Sequence, residues 1–474
     1  MLGCGSGVTC DDMKVCIVGT GYVGITTGAC LAFLGHDVTC VDIDSAKIET
    51  LRAGRSPIYE PHLEDLLALA AENISFTTDY AEAVPGAEVI FIAVGTPSLA
   101  DGSPDLRYVS SAAQSIGEHL NGAFTVVVNK STVPIGSGNW VDAIVRESYE
   151  HHHDHRADGQ FSVASNPEFL REGAAIGDTL YPDRVVIGSD HAPTREMLYS
   201  LYRPIVEQSF TPPPFLPRPE EMTAIPLVAT DLASAELIKY AANAFLALKI
   251  SYINEIGALA AKVGADINQV ARGTGLDARI GPRFLEPGVG WGGSCFGKDT
   301  AALISTAAEY KLDMPIVTAA RDVNAHQREL VIEKLLDELR ILKGRTVGLL
   351  GLAFKPHTDD LRDSPAVDIA RMLIERGARV KLHDPIAMDR FRVEQPDLAP
   401  YLCDTPAEVA TDADVLVLVT KWPQYLEMDW AKLAVVMRGA RVLDGRHVLD
   451  PERLHRAGFR YLALAGWNAA PDPA

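Results

Sequence analysis

One cysteine in this sequence lies in a setting that favours chemistry over packing. Cys295 belongs to the octapeptide GGSCFGKD at residues 292–299, where glycines flank the thiol and Lys298 and Asp299 follow it. A thiol attacks as the thiolate, which a cationic or dipolar setting stabilises. Cysteines in apolar stretches act instead as small buried side chains, and four fit that description: Cys16, Cys30, Cys40 and Cys403. We therefore expect Cys295 to be a reactive nucleophile.

Two polar side chains interrupt an otherwise apolar helical pattern. The sequence predicts a long helix from Asp231 to Gly264, because this segment is rich in Ala and Leu and contains no proline. Lys239 and Asn243 are four residues apart and so share one face of that helix. On a buried face they need partners or a ligand, whereas a lysine that reaches solvent is an equally good interpretation. A second helical block is predicted from about Thr300 to Leu342, interrupted near Pro315.

A glycine-rich turn near the N-terminus predicts a dinucleotide site. Gly19, Gly21 and Gly24 form the pattern G-x-G-x-x-G directly after an apolar run at Lys14–Val18, and Asp42 follows the last glycine by 18 residues. Such glycines permit a tight turn, a close approach to a pyrophosphate and close packing of helix on strand. The acid accepts hydrogen bonds from the adenosine ribose and repels a 2′-phosphate, so NAD is favoured over NADP.

These residues need a scaffold, and alternating strand and helix patterns predict one. Strand-like runs recur at Lys14–Val18, Asp37–Val41, Val89–Val94, Phe124–Asn129, Val185–Gly188, Thr346–Gly351, Arg379–His383, Asp414–Thr420 and Arg441–Leu443. Helical patterns between them imply parallel sheets with helices on both faces. The expected fold class is α/β, with two doubly wound Rossmann-like domains joined by a central helical region that contains the long helix. We expect the domains to span residues 13–220, 221–335 and 336–474.

The second Rossmann-like domain is not expected to bind a second dinucleotide. Its first turn, Gly348–Phe354, lacks the close glycine triplet. Phe354 stands where a packing glycine is needed, so a related fold that holds another ligand is the better interpretation.

Composition and charge narrow the class of protein. The 474 residues include 43 Lys and Arg against 63 Asp and Glu, which gives a net charge of −20. An acidic surface repels a phosphate backbone, so no nucleic-acid partner is expected. No apolar run approaches the roughly 18 residues of a membrane span, and residues 1–12 carry neither the basic nor the apolar region of a secretory signal. Seven cysteines without a C-x-x-C pair favour a reducing compartment, so we expect a soluble cytoplasmic enzyme.

A series of sequence motifs runs from Lys14 to about Arg446. In chain order they are GTGYVG at 19–24, VGTP at 94–97, KSTVPIG at 130–136, NPEFLREG at 166–173, PDRVVIG at 182–188, the helix with Lys239 and Asn243, GGSCFGKD at 292–299, GLAFKPHTDDLRDSP at 351–365 and DGR at 444–446. Together they make the chain resemble the UDP-glucose/GDP-mannose dehydrogenase family. Residues 1–12 are additional, and Gly297 replaces the proline usual in the family. His151–His155 resembles an insertion; we expect a solvated loop there and no metal, although imidazole is a common ligand.

The resemblance implies an NAD-dependent, four-electron oxidation of a sugar nucleotide. A C6 alcohol becomes an aldehyde and then an acid, while two NAD are reduced. The thiol of Cys295 adds to the aldehyde as a thiohemiacetal, a second hydride transfer gives a thioester, and water hydrolyses it. UDP-glucose is the expected substrate, because the GDP-mannose branch of the family more often has leucine in place of Phe296.

Other interpretations stay open at this point. GDP-mannose and UDP-N-acetylhexosamines are alternative substrates. A catalytically inactive nucleotide-binding scaffold is a different kind of alternative, against which four retained reactive groups argue: Cys295, Lys239, Asn243 and Asp299. A two-electron hydroxyacid dehydrogenase is a third, but it has no need of Cys295.

The resemblance also implies roles for individual residues. The implied catalytic residues are Cys295, Lys239, Asn243, Asp299, Thr132 and Glu172, without fixing which group takes the first proton. Lys239 and Asn243 offer donors to the oxyanion at C6, and Asp299 positions or activates a water. The implied cofactor-binding residues are Gly19, Gly21, Tyr22, Val23, Gly24, Asp42, Lys47, Thr96, Thr132, Glu172 and Lys298.

The implied substrate site draws on several loops. A strip at 168–171 is expected to hold the substrate through its backbone. The full implied set is Glu168, Phe169, Leu170, Arg171, Lys239, Asn243, Arg279, Phe284, Leu285, Gly290, Lys355 and Arg446. In the family, the residue that matches Arg279 reaches into the site of the partner subunit, which implies a homodimer or a higher homo-oligomer.

Overall fold

The protein divides into two compact α/β units, residues 1–241 and 242–474. The computed structural model describes residues 12–99, 102–121 and 123–466. The division falls inside the long helix Leu232–Val263. The predicted fold class is confirmed, because each unit contains a Rossmann-like sheet and a helical region lies between the two sheets in the chain.

Eight strands form the sheet of the first unit: β1 (Lys14–Val18), β2 (Asp37–Val41), β3 (Ile74–Thr77), β4 (Val89–Ile92), β5 (Thr125–Asn129), β6 (Phe161–Ser165), β7 (Val185–Gly188) and β8 (Leu227–Thr230). Their order is β3-β2-β1-β4-β5-β6-β7-β8. Neighbouring strands are parallel except at β6–β7. The chain reverses its direction of travel across the sheet between β3 and β4, so the loops after β1 and β4 are neighbours at the carboxyl edge. Doubly wound folds bind ligands at such a switch point.

Helices cover this sheet: α1 (Tyr22–Phe33), α2 (Ser45–Arg52), α3 (Leu63–Leu69), α4 (Tyr80–Ala83), α5 (Arg107–His119), α6 (Ser137–His153), α7 (Ala175–Leu180) and α8 (Ala192–Val206). Alternate residues of β1 belong to different apolar cores: Val15 and Ile17 to one, Cys16 and Val18 to the other. Both faces of β1 are therefore buried, and a strand of this kind has the continuous apolar pattern seen in the sequence.

A helical region follows, formed by α9 (Leu232–Val263), α10 (Ile267–Gly275), α11 (Phe296–Glu309) and α12 (Pro315–Leu339). α9 ends before Gly264, whose φ of +74° suits glycine. Among the described helices, α9 is the one that is long and apolar enough to cross a membrane, a test that core helices of soluble proteins also pass. The predicted start of the next helix at Thr300 is wrong. α11 begins at Phe296, so Lys298 and Asp299 lie in its first turn, where the glycines and charges of the sequence indicated a loop.

Five parallel strands form the sheet of the second unit: β9 (Thr346–Leu350), β10 (Arg379–His383), β11 (Val415–Leu418), β12 (Arg441–Asp444) and β13 (Arg460–Ala463). Their order is β10-β9-β11-β12-β13. The helices of this part are α13 (Pro365–Glu375), α14 (Met388–Glu394), α15 (Pro406–Ala410), α16 (Pro423–Leu426), α17 (Trp430–Val436) and α18 (Pro451–Arg456), with a 3₁₀ helix at Ala399–Tyr401.

A buried aspartate closes the first turn of the second sheet. Asp384 follows β10 and is 1% exposed. Its Oδ2 accepts hydrogen bonds from the backbone N of Leu352 (2.7 Å) and Ala353 (3.0 Å) and from Trp422 Nε1 (3.0 Å). Its Oδ1 accepts from two backbone amides of the following turn (2.9 and 2.8 Å). Five donors thus saturate the carboxylate and fix the loop after β9.

Some elements differ from the sequence prediction. The pattern does not predict four short strands, β3, β6, β8 and β13. The predicted histidine loop is wrong for His151–His153, since α6 continues through them as its last turn. Asp154, with a φ of +54°, follows the end of the helix.

Candidate active site

Three glycines shape the turn between β1 and α1, each for a different steric reason. Gly19 has a φ of +98°, which favours glycine. A Cβ on Gly24 would lie 1.9 Å from the carbonyl oxygen of Gly19, so only hydrogen fits there. A Cβ on Gly21 would meet no atom within 4 Å, which leaves space beside this backbone for a ligand. The turn therefore fits a pyrophosphate at the N-terminus of α1.

Asp42 lies directly after β2 and binds the same turn. Its Oδ2 accepts hydrogen bonds from the backbone N (2.7 Å) and Oγ1 (2.8 Å) of Thr20, and its Oδ1 accepts one from the backbone N of Asp44 (3.0 Å). Burial acts to raise the pKa of Asp42, but these hydrogen bonds and the Lys47 ammonium, 4.0 Å away, hold it below its ordinary value. Asp42 is therefore ionised at neutral pH, and Oδ1 keeps acceptor capacity for a ribose hydroxyl.

Other predicted cofactor residues of the first unit lie on loops at the carboxyl edge of its sheet. Thr96, buried after β4, donates from Oγ1 to the carbonyl oxygen of Thr132 (3.0 Å), which follows β5. Tyr22 and Val23 open α1, directly after the glycine turn. The structure thus joins the Thr96 and Thr132 loops at the switch point of the sheet.

A buried ion pair joins α9 to the loop after β6. The Lys239 Nζ donates to the carbonyl oxygen (2.7 Å) and to the Oε1 (2.8 Å) of Glu168, and the two side chains are 4% and 7% exposed. The same Nζ lies 5.4 Å from the centre of the Phe169 ring. The interpretation of Lys239 as a lysine that reaches solvent is therefore wrong, because the helix face that carries it is buried.

The other residues of the 168–171 strip differ from one another in exposure and in contacts. The backbone N of Leu170 donates to Glu168 Oε2 (2.8 Å). Arg171 is exposed and pairs with Asp178 (2.7 Å). The sequence prediction assigned this strip to substrate through its backbone and missed the side chain of Glu168 as the partner of Lys239.

Glu60 is a second residue that the sequence analysis missed. It is buried, and its carboxylate bonds to the Tyr22 hydroxyl and accepts from the backbone N of Gly173 (2.6 Å) and Ala175 (2.7 Å). Since Gly173 directly follows Glu172, Glu60 fixes the Glu172 loop next to the glycine turn. A single acid in a loop-like segment gives no spacing signal, so the pattern could not identify it.

In the second unit, Cys295 lies at the N-cap of α11 and is half-buried. Its carbonyl oxygen accepts a hydrogen bond from the backbone N of Asp299 (2.8 Å). The partial positive charge at a helix N-terminus stabilises a thiolate. By contrast, burial raises the pKa of Cys16 and Cys30 to about 12, so these thiols are inert, as predicted.

Asp299 is buried between two donors. Asn243 Nδ2 donates to its Oδ2 (2.6 Å), and Lys298 Nζ donates to its Oδ1 (2.7 Å). Lys298, predicted as a cofactor contact, thus pairs with Asp299 in this structure. The same carboxylate orients the Asn243 amide, so three predicted site residues form one polar group, and two of them, Lys298 and Asp299, lie in the first turn of the helix that begins after Cys295.

Arg446 follows β12 and is held by backbone carbonyl oxygens. Its Nε donates to Val419 (2.5 Å), its Nη1 to Gly290 (3.1 Å) and its Nη2 to Phe354 (3.4 Å). Burial lowers the pKa of Arg446 to about 10, although the Asp444 carboxylate acts to raise it. Arg446 is therefore a charged group at neutral pH that links three loops of the second unit.

The loop before Cys295 is fixed by α12. Asn324 Oδ1 accepts from the backbone N of Trp291 (2.7 Å), and Asn324 Nδ2 donates to the carbonyl oxygen of Trp291 (3.0 Å). Gly290, with a φ of +93°, passes so close that a Cβ would lie 2.5 Å from Asn324 Oδ1. In the same loop, Leu285 is buried and Phe284 is half-buried.

Two further predicted substrate residues, Arg279 and Lys355, belong to the second unit. Arg279 has an 89% exposed side chain and pairs with Asp277 (2.6 Å) on the loop after α10. Lys355 is half-buried, with its Nζ 5.2 Å from the centre of the Phe354 ring. The described residues contain no cluster of three or more His, Cys, Asp or Glu side chains that could hold a metal.

Comparison with known proteins decides the family. Three consecutive parts of the chain match the UDP-glucose/GDP-mannose dehydrogenase family: its NAD binding domain over residues 13–206, its central domain over 233–326 and its UDP binding domain over 348–451. The chain belongs to this family. NAD is therefore the cofactor, as predicted, because the NAD binding domain of the UDP-glucose/GDP-mannose dehydrogenases includes the glycine turn and Asp42.

Relatives within the UDP-glucose/GDP-mannose dehydrogenase family match over nearly the full length. The UDP-glucose 6-dehydrogenase TuaD of Bacillus subtilis is 42% identical, over 95% of this chain and 93% of its own. The UDP-glucose 6-dehydrogenase of Rhizobium meliloti is 44% identical, over 95% and 99%. The solved UDP-glucose dehydrogenase of Pyrobaculum islandicum is 39% identical, with a TM-score of 0.86 and coverage of 97% and 100%. A UDP-D-ManNAc dehydrogenase of Pyrococcus horikoshii is 25% identical, with a TM-score of 0.80 and coverage of 95% and 99%.

Asp42→Asn is expected to raise the KM for NAD about tenfold and leave the KM for the sugar nucleotide unchanged. The amide loses the charge that favours the ribose hydroxyls, and its NH₂ group must face a backbone N–H donor, either that of Thr20 or that of Asp44. Steady-state kinetics with each substrate varied in turn test this. Asp44→Asn is the matched control, because asparagine preserves the N-cap of α2. An unchanged KM for NAD in Asp42→Asn would contradict the ribose role.

Proposed function

We propose that this protein catalyses the NAD-dependent, four-electron oxidation of UDP-glucose to UDP-glucuronate. The observation that carries the proposal is the similarity to UDP-glucose 6-dehydrogenases, at 42% and 44% identity over 95% of the chain. The site supports it, because the chain contains a nucleotide turn, donors for an oxyanion and a thiol at a helix N-terminus.

The first oxidation removes a hydride from C6 of the glucose. Two NAD molecules, bound one after the other, would each supply the acceptor for one hydride. We assign the Lys239 ammonium and the Asn243 amide as donors to the C6 oxygen, on which negative charge develops as the alcohol proton leaves. The Glu168 carboxylate and carbonyl oxygen orient Lys239, and the Asp299 carboxylate orients Asn243. Both donors are thus pre-oriented before substrate binds.

Cys295 captures the aldehyde in the second stage. Its Sγ forms a bond to C6 while the aldehyde oxygen takes up a proton, which gives a thiohemiacetal. Loss of the second hydride and the hydroxyl proton gives a thioester. Water positioned by Asp299 then adds to the carbonyl carbon, the C–S bond breaks and the acid is released. We propose that Thr132 and Glu172 complete this catalytic group.

The binding roles follow the same division of the chain. We assign NAD to Gly19, Gly21, Tyr22, Val23, Gly24, Asp42, Lys47, Thr96, Thr132, Glu172 and Lys298. We assign the sugar nucleotide to Glu168, Phe169, Leu170, Arg171, Lys239, Asn243, Arg279, Phe284, Leu285, Gly290, Lys355 and Arg446. Three functional parts are proposed: an NAD-binding part at 13–220, a helical part with the reactive cysteine at 221–335 and a UDP-sugar part at 336–474. The match of the UDP binding domain to residues 348–451 supports the last of them.

An exposed apolar stripe on α9 supports a homodimer or a higher homo-oligomer. Phe245, Tyr252 and Leu259 recur every seven residues and are 60%, 49% and 59% exposed. Heptad spacing places them on one side of the helix, as in helices that pair. Light scattering tests this proposal, and a monomeric mass would contradict it.

We also propose a cytoplasmic location without a nucleic-acid or membrane partner. The net charge of −20 and the sparse cysteines support it. Recovery of the protein in a membrane fraction, or its retention on immobilised DNA, would contradict it.

The first experiment is the stoichiometry of the reaction. With limiting UDP-glucose and excess NAD, we expect two NADH per UDP-glucose and none from GDP-mannose or UDP-N-acetylmannosamine. If only one NADH were formed per UDP-glucose, the second oxidation through a thioester would not take place, and the proposed role of Cys295 would be wrong. Turnover of a rival substrate alone would keep the mechanism and change the specificity. No turnover with any of the three would favour a nucleotide-binding scaffold.

A further inference from the structure

Lys130 is a buried lysine that the proposed mechanism does not use. It directly follows β5 and is 8% exposed. Its Nζ donates to Asn166 Oδ1 (2.7 Å) and lies 3.4 Å from the Tyr202 hydroxyl oxygen and 6.0 Å from the centre of the Phe91 ring. Among the described residues, no carboxylate forms an ion pair with Lys130. A buried ammonium without an ion pair opposes folding, so its presence requires an explanation.

Asn166 contacts Lys130 and begins the loop after β6. Its Oδ1 accepts from Lys130 and from the Tyr202 hydroxyl (2.6 Å), and its Nδ2 donates to the carbonyl oxygen of Val186 (2.7 Å). Glu168, the partner of Lys239, comes two residues later in the same loop. Lys130 therefore contacts the residue that anchors this loop to the sheet.

The titratable groups that face Lys130 lie on three elements: Glu168 on the loop after β6, Lys239 on α9 and Tyr202 on α8. Burial lowers the pKa of Lys130 to about 8, while the Glu168 carboxylate raises it and the Lys239 ammonium lowers it. Tyr202 on α8 is the remaining titratable neighbour, and burial raises its pKa, so it is uncharged at neutral pH. Near neutral pH the group thus contains two ammonium ions and one carboxylate.

We propose that Lys130 is a positioning residue for the oxidation: it gives the buried group around Lys239 a net positive charge, which favours the oxyanion at C6. Lys130 acts through Asn166, Glu168 and Lys239, without contact to substrate. A net charge acts more strongly in a buried place than in water, where solvent screens it. The inference rests on the proposed function, because it concerns the charge that develops at C6.

Lys130→Met and Lys130→Arg test the inference by their pH profiles. We expect Lys130→Met to lower kcat about tenfold below pH 8, with the KM for NAD unchanged. The wild type should lose kcat as the pH rises through about 8, where Lys130 loses its proton. That decline should be absent in Lys130→Met and move to higher pH in Lys130→Arg, whose guanidinium stays charged. Lys14→Met, which removes an exposed lysine of the same sheet, is the control and should match the wild type.

The melting temperature separates this role from a structural one. Lys130→Met removes a buried charge and leaves Asn166 Oδ1 with the Tyr202 hydroxyl, so we expect no fall at neutral pH. Because the pKa of Lys130 is below its ordinary value of 10.5, the unfolded wild type binds more protons than the folded form between about pH 8 and 10.5. The wild type should therefore gain stability relative to Lys130→Met as the pH rises through that window.

Two results would overturn the inference. One is a kcat and a pH profile of Lys130→Met equal to those of the wild type. The other is a lower melting temperature with unchanged activity of the folded fraction, which would make Lys130 a structural residue only. Failure of the proposed function is distinguishable, because the stoichiometry of the wild type alone decides it. The melting comparison is independent of turnover.

Discussion

Cys295→Ser will stop the conversion of UDP-glucose to UDP-glucuronate and leave both substrates able to bind. Serine is a good N-cap residue, so α11 keeps its start. Its hydroxyl is a much weaker nucleophile than a thiolate at a helix N-terminus. We expect kcat for acid formation to fall about 10³-fold or more. Product analysis alongside NADH measurement, with substrate affinity from calorimetry, tests this expectation.

Cys403→Ser is the matched control for this variant. Cys403 is also a half-buried thiol of the second unit, whereas the sequence predicted a buried one, and it lies in no predicted site. It should keep the wild-type kcat. If Cys295→Ser still produced two NADH per UDP-glucose, the covalent route would be disproved, because no sulfur would be available to hold the aldehyde.

Lys239→Met is expected to reduce both stability and activity. It removes the cation of a buried ion pair and leaves the Glu168 carboxylate without its ion-pair partner, which lowers the free energy of unfolding by about 3–5 kcal/mol. It also removes a donor to the C6 oxyanion, so kcat should fall about 10²- to 10³-fold. Denaturant unfolding and steady-state kinetics measure the two effects separately.

Adding Glu168→Gln to Lys239→Met separates the fold from the chemistry. A neutral amide does not need a counter-ion, so the double variant should regain most of the lost stability. It should regain none of the lost kcat, because the donor to the oxyanion is still missing. Recovery of kcat together with stability would mean that Lys239 acts only on the fold.

The strands and helices that were predicted well are those with a strong local pattern. Lys14–Val18 has the same bounds in the sequence and in the structure, because a strand buried on both faces is a continuous apolar run. The long helix was predicted within one residue at each end, since Gly264 ends it. β6 was missed because two of its five residues are serine, which interrupt the apolar run.

The site residues also divide into those that a local sequence pattern identifies and those that only the fold brings together. The glycine turn and Asp42 could be identified because a short segment carries both, with fixed spacing. The contact of Lys239 with Glu168 could not, because 71 residues separate them and only the folded sheet brings the loop to α9. Glu60 is 113 residues from Gly173 and has no neighbouring motif. The role of Arg279 in a partner subunit's site stays a prediction.

Asp384 and Asp42 have equivalent places in the two sheets. Asp42 follows β2, which neighbours the first strand β1, and Asp384 follows β10, which neighbours β9, the first strand of the second sheet. Asp42 receives three hydrogen bonds from the chain, whereas Asp384 receives five and is 1% exposed. The carboxylate in one unit is thus suited to recognise a ribose, whereas the carboxylate in the other is an internal brace, that is, a buried group whose acceptors are all used to hold neighbouring loops. Any redesign of the second unit as a dinucleotide receptor would first have to release this brace, and the loop that it holds would lose its anchor.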